Sequence, residues 1–178
     1  MHTAFRQSVY ECLKSKNLNN AYIGTAVDLN PSKHKIKGMP IENYTYRDIL
    51  YRSKISVNVI GGGYDCARYW EILAAGSLLL TQKLDILIPN PFEDGKNCCT
   101  FQSLEELSDK LDLLLSTPSK ITEIQEAGFS HLIKYHTTKA RAEYFLKKYS
   151  EINVNQFCLS FYDSSLRKNK WFFHKLLQ

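Results

Sequence analysis

The stretch that decides the fold is GGGYDCARYWEILAAGSLLL, at residues 61–80. It is typical of a glycine loop, then a helix, then a buried apolar strand. Glycine lets backbone N–H groups come close to a phosphate, and the partial positive charge at a helix start favours an anion. The carboxylate of Glu71, inside this helix, can accept hydrogen bonds from sugar hydroxyls. The combination suits a nucleotide or a nucleotide-sugar.

The glycine pattern has alternative interpretations. Gly61, Gly62 and Gly63 do not complete the dinucleotide fingerprint G-x-G-x-x-G, because Cys66 stands where the last glycine is expected. A tight strand-to-helix turn without a ligand would use the same residues, since doubly wound folds place glycine at many such turns. A nicotinamide oxidoreductase with Asp85 on the ribose is a third interpretation, which the incomplete fingerprint disfavours.

Length and composition indicate one globular domain. The 178 residues suit a single core, and the hydrophobic share of 44% and charged share of 23% are near globular averages. The first residues, MHTAFRQSVYECLKSK, lack the apolar segment of a signal peptide, and no apolar run approaches the roughly 20 residues that span a bilayer. We therefore expect a cytoplasmic protein.

The cysteines agree with a reducing compartment. There are five, an odd number, without a C-x-x-C pair: Cys12, Cys66, Cys98, Cys99 and Cys158. We expect no disulfide framework and no metal site from this pattern. A catalytic thiol at Cys66 is a weaker alternative, because no histidine lies near it in the sequence.

The net charge of +5 is modest. Lysines cluster within residues 33–37 and 168–175, but no nucleic-acid signature accompanies them, so we expect solvated surface and no nucleic-acid partner. The tail KNKWFFHKLLQ, at residues 168–178, could form a basic, aromatic helix that makes peripheral contact with an anionic membrane. Packing of these aromatic rings against the domain is the favoured alternative.

Helices and short strands alternate along the chain. Helices are predicted at residues 5–16, 44–52, after the glycine loop, from a Ser103 cap with Glu106 in a capping box, and at 119–135 and 138–149. Strands are predicted at residues 21–25, 54–60, 78–82 and 97–101. This order predicts an α/β fold, a Rossmann-like parallel sheet with helices on both faces. Ligands of such sheets lie beyond the carboxyl ends of the strands, where residues 61–68 are expected.

Three segments together resemble the C-terminal half of GT-B glycosyltransferases. They are SKISVNVIGGGYDCARYWEILAAGSLLLTQ, PNPFEDGKNCCTFQSLEELSDKLDLLLSTPSKITEIQEAG and HTTKARAEYFL. The likeness is strongest over residues 44–149, to the branch of bacterial-type "glycosyl transferases group 1" and spore-maturation-type proteins. It implies a donor-binding Rossmann-like domain at residues 1–150 and a separate tail, with a possible helix, at residues 151–178.

The resemblance also implies roles for the matched residues. The ribose of the donor would bind Glu71, and the donor itself would be a nucleotide-sugar, for which we expect a UDP-sugar and no further cofactor. His136 and Thr137 match a recurring pair that we interpret chiefly as a helix cap and turn, with a catalytic base as the weaker alternative. The donor diphosphate would be held, mainly by backbone amides, at Gly62, Gly63, Asp65, Cys66, Ala67 and Arg68.

Two departures limit what the resemblance implies. Many retaining members carry a second glutamate seven residues before the ribose-binding one, where this chain has Tyr64. The chain also has the length of one domain of a two-domain enzyme. The helix at residues 5–16 matches the one that follows the first strand of the domain, so we expect that strand to be missing. The chain would then be a fragment, or a partner chain, a second copy or the tail would cover the open sheet.

The function expected from this sequence is that of the donor-binding half of a glycosyltransferase. It would transfer a sugar from a nucleotide-sugar to an acceptor in cell-surface or protein glycan synthesis. The alternative is a non-catalytic nucleotide-binding or partner-docking module derived from such an enzyme. No catalytic residue is assigned, and we expect the single chain to be inactive without an acceptor domain.

Overall fold

The computed structural model describes residues 2–19, 21–23 and 46–151. The loop predicted at residues 28–40, the tail helix and Cys158 lie outside the described residues. The described elements, in chain order, are α1 His2–Ser15, α2 Tyr46–Arg52, β1 Ile55–Asn58, α3 Ala67–Ala74, β2 Leu78–Gln82, β3 Cys99–Phe101, α4 Leu104–Ser116, α5 Pro118–Tyr135 and α6 Thr138–Glu151.

The described strands form one parallel sheet in the order β1-β2-β3. Ile55 of β1 lies opposite Leu78 of β2, and Leu80 of β2 lies opposite Cys99 of β3. β1 is joined to β2 through α3, whereas the connection from β2 to β3, residues 83–98, contains no helix. The prediction of an α/β fold with a Rossmann-like parallel sheet is confirmed.

Apolar side chains of β2 alternate between two cores, one on each face of the sheet. Leu78 and Leu80 pack with residues of α1, α4 and the first half of α5. Leu79 packs on the other side, in a cluster that includes Ile72 of α3 and Leu132 of α5. All three leucines of the strand are almost completely buried. The continuous apolar run reflects burial on both faces, as expected for a central parallel strand.

Predicted and observed boundaries differ by one to three residues, at α1 and at two of the strands. The strand predicted at residues 54–60 is shorter, Ile55–Asn58, and the one predicted at 97–101 is Cys99–Phe101. Asn97 lies in a turn instead, where its side-chain oxygen accepts a 2.6 Å hydrogen bond from the Glu93 amide. The strand predicted at 21–25 was wrong in its described part, since residues 21–23 are half-buried but belong to no strand. A short apolar run does not by itself distinguish a strand from a packed loop.

The predicted cap of α4 is confirmed. Ser103 Oγ accepts a 3.1 Å hydrogen bond from the Glu106 amide, and Glu106 in turn accepts a 2.8 Å bond from the Gln102 amide. The first bond satisfies an amide that the first helical turn leaves without an intrahelical acceptor, and the second holds the residue before the cap. They fix the point at which the chain leaves β3 for α4.

The chain divides into two compact units, Met1–Tyr135 and His136–Gln178. The sheet belongs to the first unit, whose earliest described element is α1, so the strand expected to be missing is not among the described residues. The described part of the second unit is dominated by α6. There Thr137 Oγ1 accepts a 3.2 Å hydrogen bond from the Ala140 amide, which confirms the predicted helix cap.

Candidate functional site

The candidate site lies beyond the carboxyl ends of the parallel strands. β1 ends at Asn58, residues 59–66 form the glycine loop, and α3 begins at Ala67. β2 ends at Gln82 at the same edge of the sheet, because it runs parallel to β1. The glycine loop therefore lies at the edge where ligands of such sheets bind.

A network of polar side chains at the ends of β1 and β2 supports the glycine loop. Asn58 Nδ2 donates a 3.0 Å hydrogen bond to Thr81 Oγ1, and both side chains are almost completely buried. Asn58 Oδ1 accepts a 3.5 Å bond from the Cys66 thiol. Gln82 Oε1 accepts a 3.2 Å bond from the Ile60 amide. Side chains at the ends of β1 and β2 thus hold both ends of the glycine loop.

Arg6 of α1 brings a positive charge to the loop. Its Nη2 donates a 3.2 Å hydrogen bond to the Ile60 carbonyl oxygen. A Cβ atom at Gly61 would lie 2.9 Å from the same nitrogen, which is too close. Glycine at this position therefore permits the approach of the half-buried guanidinium group to the loop backbone.

The other two glycines of the loop face open space. A Cβ atom at Gly62 or Gly63 would meet no described atom within 4 Å, and both residues are exposed. The described glycines with positive φ are elsewhere, Gly76 at 73° and Gly95 at 74°. What the loop gains from Gly62 and Gly63 is an unobstructed backbone, which leaves room for a ligand close to its amides.

The start of α3 is open to an acceptor from outside the chain. Cys66 is the N-cap residue, and it makes no side-chain capping bond in the described structure. The Tyr69 amide reaches the Cys66 carbonyl oxygen at 2.9 Å. The amides of Ala67 and Arg68 lie in the same first turn, where an anion can replace a capping side chain.

Glu71 lies in the middle of α3 and contacts Tyr46, the first residue of α2. The Tyr46 hydroxyl donates a 3.0 Å hydrogen bond to Glu71 Oε2. The positive charge of Arg68 acts on the same hydroxyl. Partial burial and the Glu71 carboxylate raise the pKa of Tyr46, and Arg68 opposes them. Glu71 is exposed, so its second oxygen is available to a ligand.

A polar cleft of about 390 Å³ lies at the carboxyl ends of β2 and β3. It is lined by Gln82, Lys83, Leu84, Asp85 and Gln102. Asp85, the alternative ribose ligand of the sequence analysis, therefore faces a cleft beside the strands. This cleft adds space next to Gln82, whose side chain also holds the glycine loop.

One family matches most of the chain. A family model described as glycosyl transferase-like matches residues 6–147. The chain belongs to this glycosyl transferase-like family. No curated protein and no solved structure matches it. The match begins in α1 and extends into α6, so both the glycine loop and Glu71 lie within the family region.

The D-G-K-N segment of this glycosyl transferase-like chain has a structural role. Asp94 Oδ1 accepts a 2.7 Å hydrogen bond from the Thr100 amide on β3, and Oδ2 pairs with Lys110 of α4 at 2.7 Å. Partial burial works to raise the pKa of Asp94, but these bonds outweigh it and hold the pKa below its usual value. The segment thus joins the turn before β3 to β3 itself and to α4. The structure places no part of it in the candidate site.

Five residues of the site were not predicted from the sequence: Arg6, Tyr46, Gln82, Asn58 and Thr81. A signal existed for the last two, because a polar side chain inside an otherwise apolar strand needs a buried partner. Arg6 and Tyr46 gave no comparable signal, because each lies on a helix that is distant in the sequence from the residue it contacts.

The described residues contain no candidate metal site and no candidate membrane span. Within residues 2–19, 21–23 and 46–151, His, Cys, Asp and Glu form no group of three or more that could hold a metal ion. None of the helices within these residues is long and apolar enough to cross a bilayer.

Proposed function

We propose that this chain is the donor-binding domain of a GT-B glycosyltransferase. The observation that supports it most is the uncapped start of α3 beside the open backbone of Gly62 and Gly63, with Glu71 farther along the same helix. One helix therefore presents backbone amides to a phosphate and a carboxylate to sugar hydroxyls. Membership of the glycosyl transferase-like family supports a nucleotide-sugar as the ligand with these two parts.

The diphosphate would bind at the start of α3. The amides of Ala67 and Arg68 and the positive end of the helix favour an anion there. The Arg68 side chain and Arg6, beside Ile60, would add positive charge from two sides. Asp65 is exposed next to the same turn and would oppose the anion unless it turned toward solvent. The arrangement favours a leaving group that gains negative charge as the sugar departs.

The ribose would bind at Glu71. A carboxylate accepts hydrogen bonds only, and two neighbouring hydroxyls of a ribose supply donors at a matching distance. Tyr46 already occupies one side of Oε2, which leaves the rest of the carboxylate for the ligand. Hydrogen bonds to a charged group contribute about 1.5–3 kcal/mol each. Loss of the charge at this position should therefore weaken binding clearly.

Sugar transfer would require an acceptor site supplied by another domain or chain. In the reaction, the bond between the anomeric carbon and the diphosphate oxygen breaks, and a bond from that carbon to an acceptor oxygen forms. The acceptor proton passes to a base, and the groups proposed here act only on the donor side. We therefore propose donor binding by this chain and expect no transfer by the chain alone.

Calorimetric titration with UDP, GDP and ADP tests donor binding. We expect one of them to bind, UDP by preference, and Glu71→Gln to weaken its affinity roughly 10- to 100-fold. Glu126→Gln, an exposed glutamate on α5, is the matched control and should leave the affinity unchanged. Absence of binding from a folded chain, or equal losses in the two variants, would contradict the proposal.

Turnover distinguishes an enzyme from a binding module. Purified chain would be incubated with a radiolabelled nucleotide-sugar and candidate acceptors, and the products separated by chromatography. Binding without transfer agrees with a donor half that acts with a partner. Transfer by the chain alone would show that it also contains an acceptor site, contrary to our expectation.

A further inference from the structure

The contact between Tyr46 and Glu71 joins the two helices that flank the candidate ribose site. The residues are 25 positions apart in the sequence, and their side chains meet at 3.0 Å. Tyr46 is half-buried at the start of α2, whereas Glu71 is exposed on α3. A partly buried hydroxyl therefore holds a carboxylate that would otherwise extend into solvent.

Restraint of Glu71 changes how it can recognise a ligand. An exposed glutamate has several rotamers, and a ligand that binds it must offset the loss of that freedom. The bond to Tyr46 fixes the carboxylate before the ligand arrives, which lowers this cost. Arg68, in the first turn of α3, acts on the same hydroxyl through its positive charge.

Restraint also affects discrimination between sugars. A mobile carboxylate can turn toward whichever hydroxyl remains when one is missing, so it distinguishes ribose from deoxyribose poorly. A fixed carboxylate cannot adjust in this way, and the missing hydroxyl leaves one of its acceptor positions unpaired. The strength of the preference for ribose should therefore depend on the residue that holds Glu71.

We propose that Tyr46 is a positioning residue that makes the site select ribonucleotides over 2′-deoxyribonucleotides by fixing the Glu71 carboxylate. The inference rests on the proposed function, because it assigns Glu71 to the ribose of the donor. It adds a specificity determinant from α2, an element outside the glycine loop and α3. Tyr46 itself need not touch the ligand for this role.

The test compares UDP, GDP and ADP with their 2′-deoxy counterparts by calorimetry on the full chain. We expect the wild-type chain to prefer the ribonucleotide by roughly tenfold, the contribution of one hydrogen bond to a charged group. Tyr46→Phe should reduce this ratio several-fold, and Glu71→Gln should bring it close to one. Tyr51→Phe is the control, because Tyr51 is exposed on the same helix and should leave the ratio unchanged.

Equal weakening of both nucleotides in Tyr46→Phe would indicate a structural role only and would overturn the proposal. An unchanged ratio in a variant that binds would overturn it as well, while the proposed function would stand. Failure of the wild-type chain to bind any of the nucleotides would overturn the proposed function, and this selectivity with it.

A second measurement does not depend on the folding of Tyr46→Phe. Chain with ¹³C-labelled tyrosine rings would be titrated by NMR, as wild type and as Glu71→Gln. Because the Glu71 carboxylate contributes to the raised pKa of Tyr46, one tyrosine should titrate at lower pH in the variant. If no tyrosine shifts, the contact is absent in solution and the proposal is overturned.

Discussion

Asn58 and Thr81 are joined by a 3.0 Å hydrogen bond inside the sheet, from the side-chain amide on β1 to the hydroxyl oxygen on β2. Both side chains are almost completely buried, where a polar group without a partner is costly. Because Asn58 also accepts the bond from Cys66, the pair links the ends of two strands to the start of α3. The position of the proposed diphosphate site therefore depends on a polar contact within the core.

Replacement of Asn58 by leucine should destabilise the protein by about 1–3 kcal/mol, because the Thr81 hydroxyl keeps its bond to the Gln82 carbonyl oxygen but loses the amide from which it accepts. The double variant Asn58→Leu with Thr81→Val should recover part of the loss, since the buried oxygen that lacks a donor is then removed as well. Urea denaturation of the wild type, both single variants and the double variant measures this coupling. Strictly additive losses would show that the two side chains do not interact.

Gly128→Ala should also destabilise the fold. A Cβ atom at this position would lie 2.6 Å from the Asn97 carbonyl oxygen and 3.2 Å from a Leu73 methyl carbon. Backbone does not move aside easily, so we expect a loss of about 1–3 kcal/mol that exceeds the helix-propensity gain of alanine. Thermal unfolding measures it, with Gly62→Ala, which faces open space, as the control. An increase in stability would mean that α5 does not approach the Asn97 turn this closely.

Arg6→Gln should reduce nucleoside diphosphate affinity roughly 3- to 10-fold, because a cation beside the glycine loop is lost. The affinity should also depend less on salt, since fewer charges contribute to binding. Titration of UDP at two salt concentrations measures both effects. Arg47→Gln, an exposed arginine of α2, is the control, and an equal response in the two variants would argue against a role for Arg6.

Acid should remove the contribution of Asp94 to stability. Its pKa is lowered in the folded chain, so the unfolded chain binds more protons at acid pH. The contribution is complete above the unfolded pKa of about 3.9 and disappears as the pH falls through the folded pKa. The difference in unfolding free energy between wild type and Asp94→Asn should therefore narrow between pH 7 and pH 3. Asp109→Asn, exposed on α4, is the control, and a constant difference for Asp94 would contradict the assignment.

The cysteines should differ in reactivity. Burial, with a smaller effect of the neighbouring Cys99, raises the pKa of Cys98 to about 12, whereas Cys12 and Cys66 are half-buried. Since the thiolate is the nucleophile, iodoacetamide at pH 8 should alkylate Cys12 and Cys66 well before Cys98. Peptide mass spectrometry after short exposures gives the order. Early labelling of Cys98 in folded protein would contradict the burial of its side chain.

Much of the fold could be predicted because it depends on local patterns. The β-branched residues within 54–60 and the leucines at residues 78–80 specify buried strands, and the helix α3 between them allows parallel pairing. The Ser103 cap could be predicted for the same reason, since its partner Glu106 lies within the same helical turn. The short apolar run at residues 21–23 was ambiguous, and the strand predicted there was wrong.

The sequence by itself therefore determined the order of helices and strands and the glycine loop before α3, because hydrophobic periodicity and backbone freedom act over a few residues. Only the tertiary structure decided which side chains surround that loop. Arg6 reaches Ile60 across 54 positions, and Tyr46 reaches Glu71 across 25. Such contacts depend on how the helices pack on the sheet. Because the hydrophobic effect that drives this packing has no direction, neither residue alone indicates which partner it will meet.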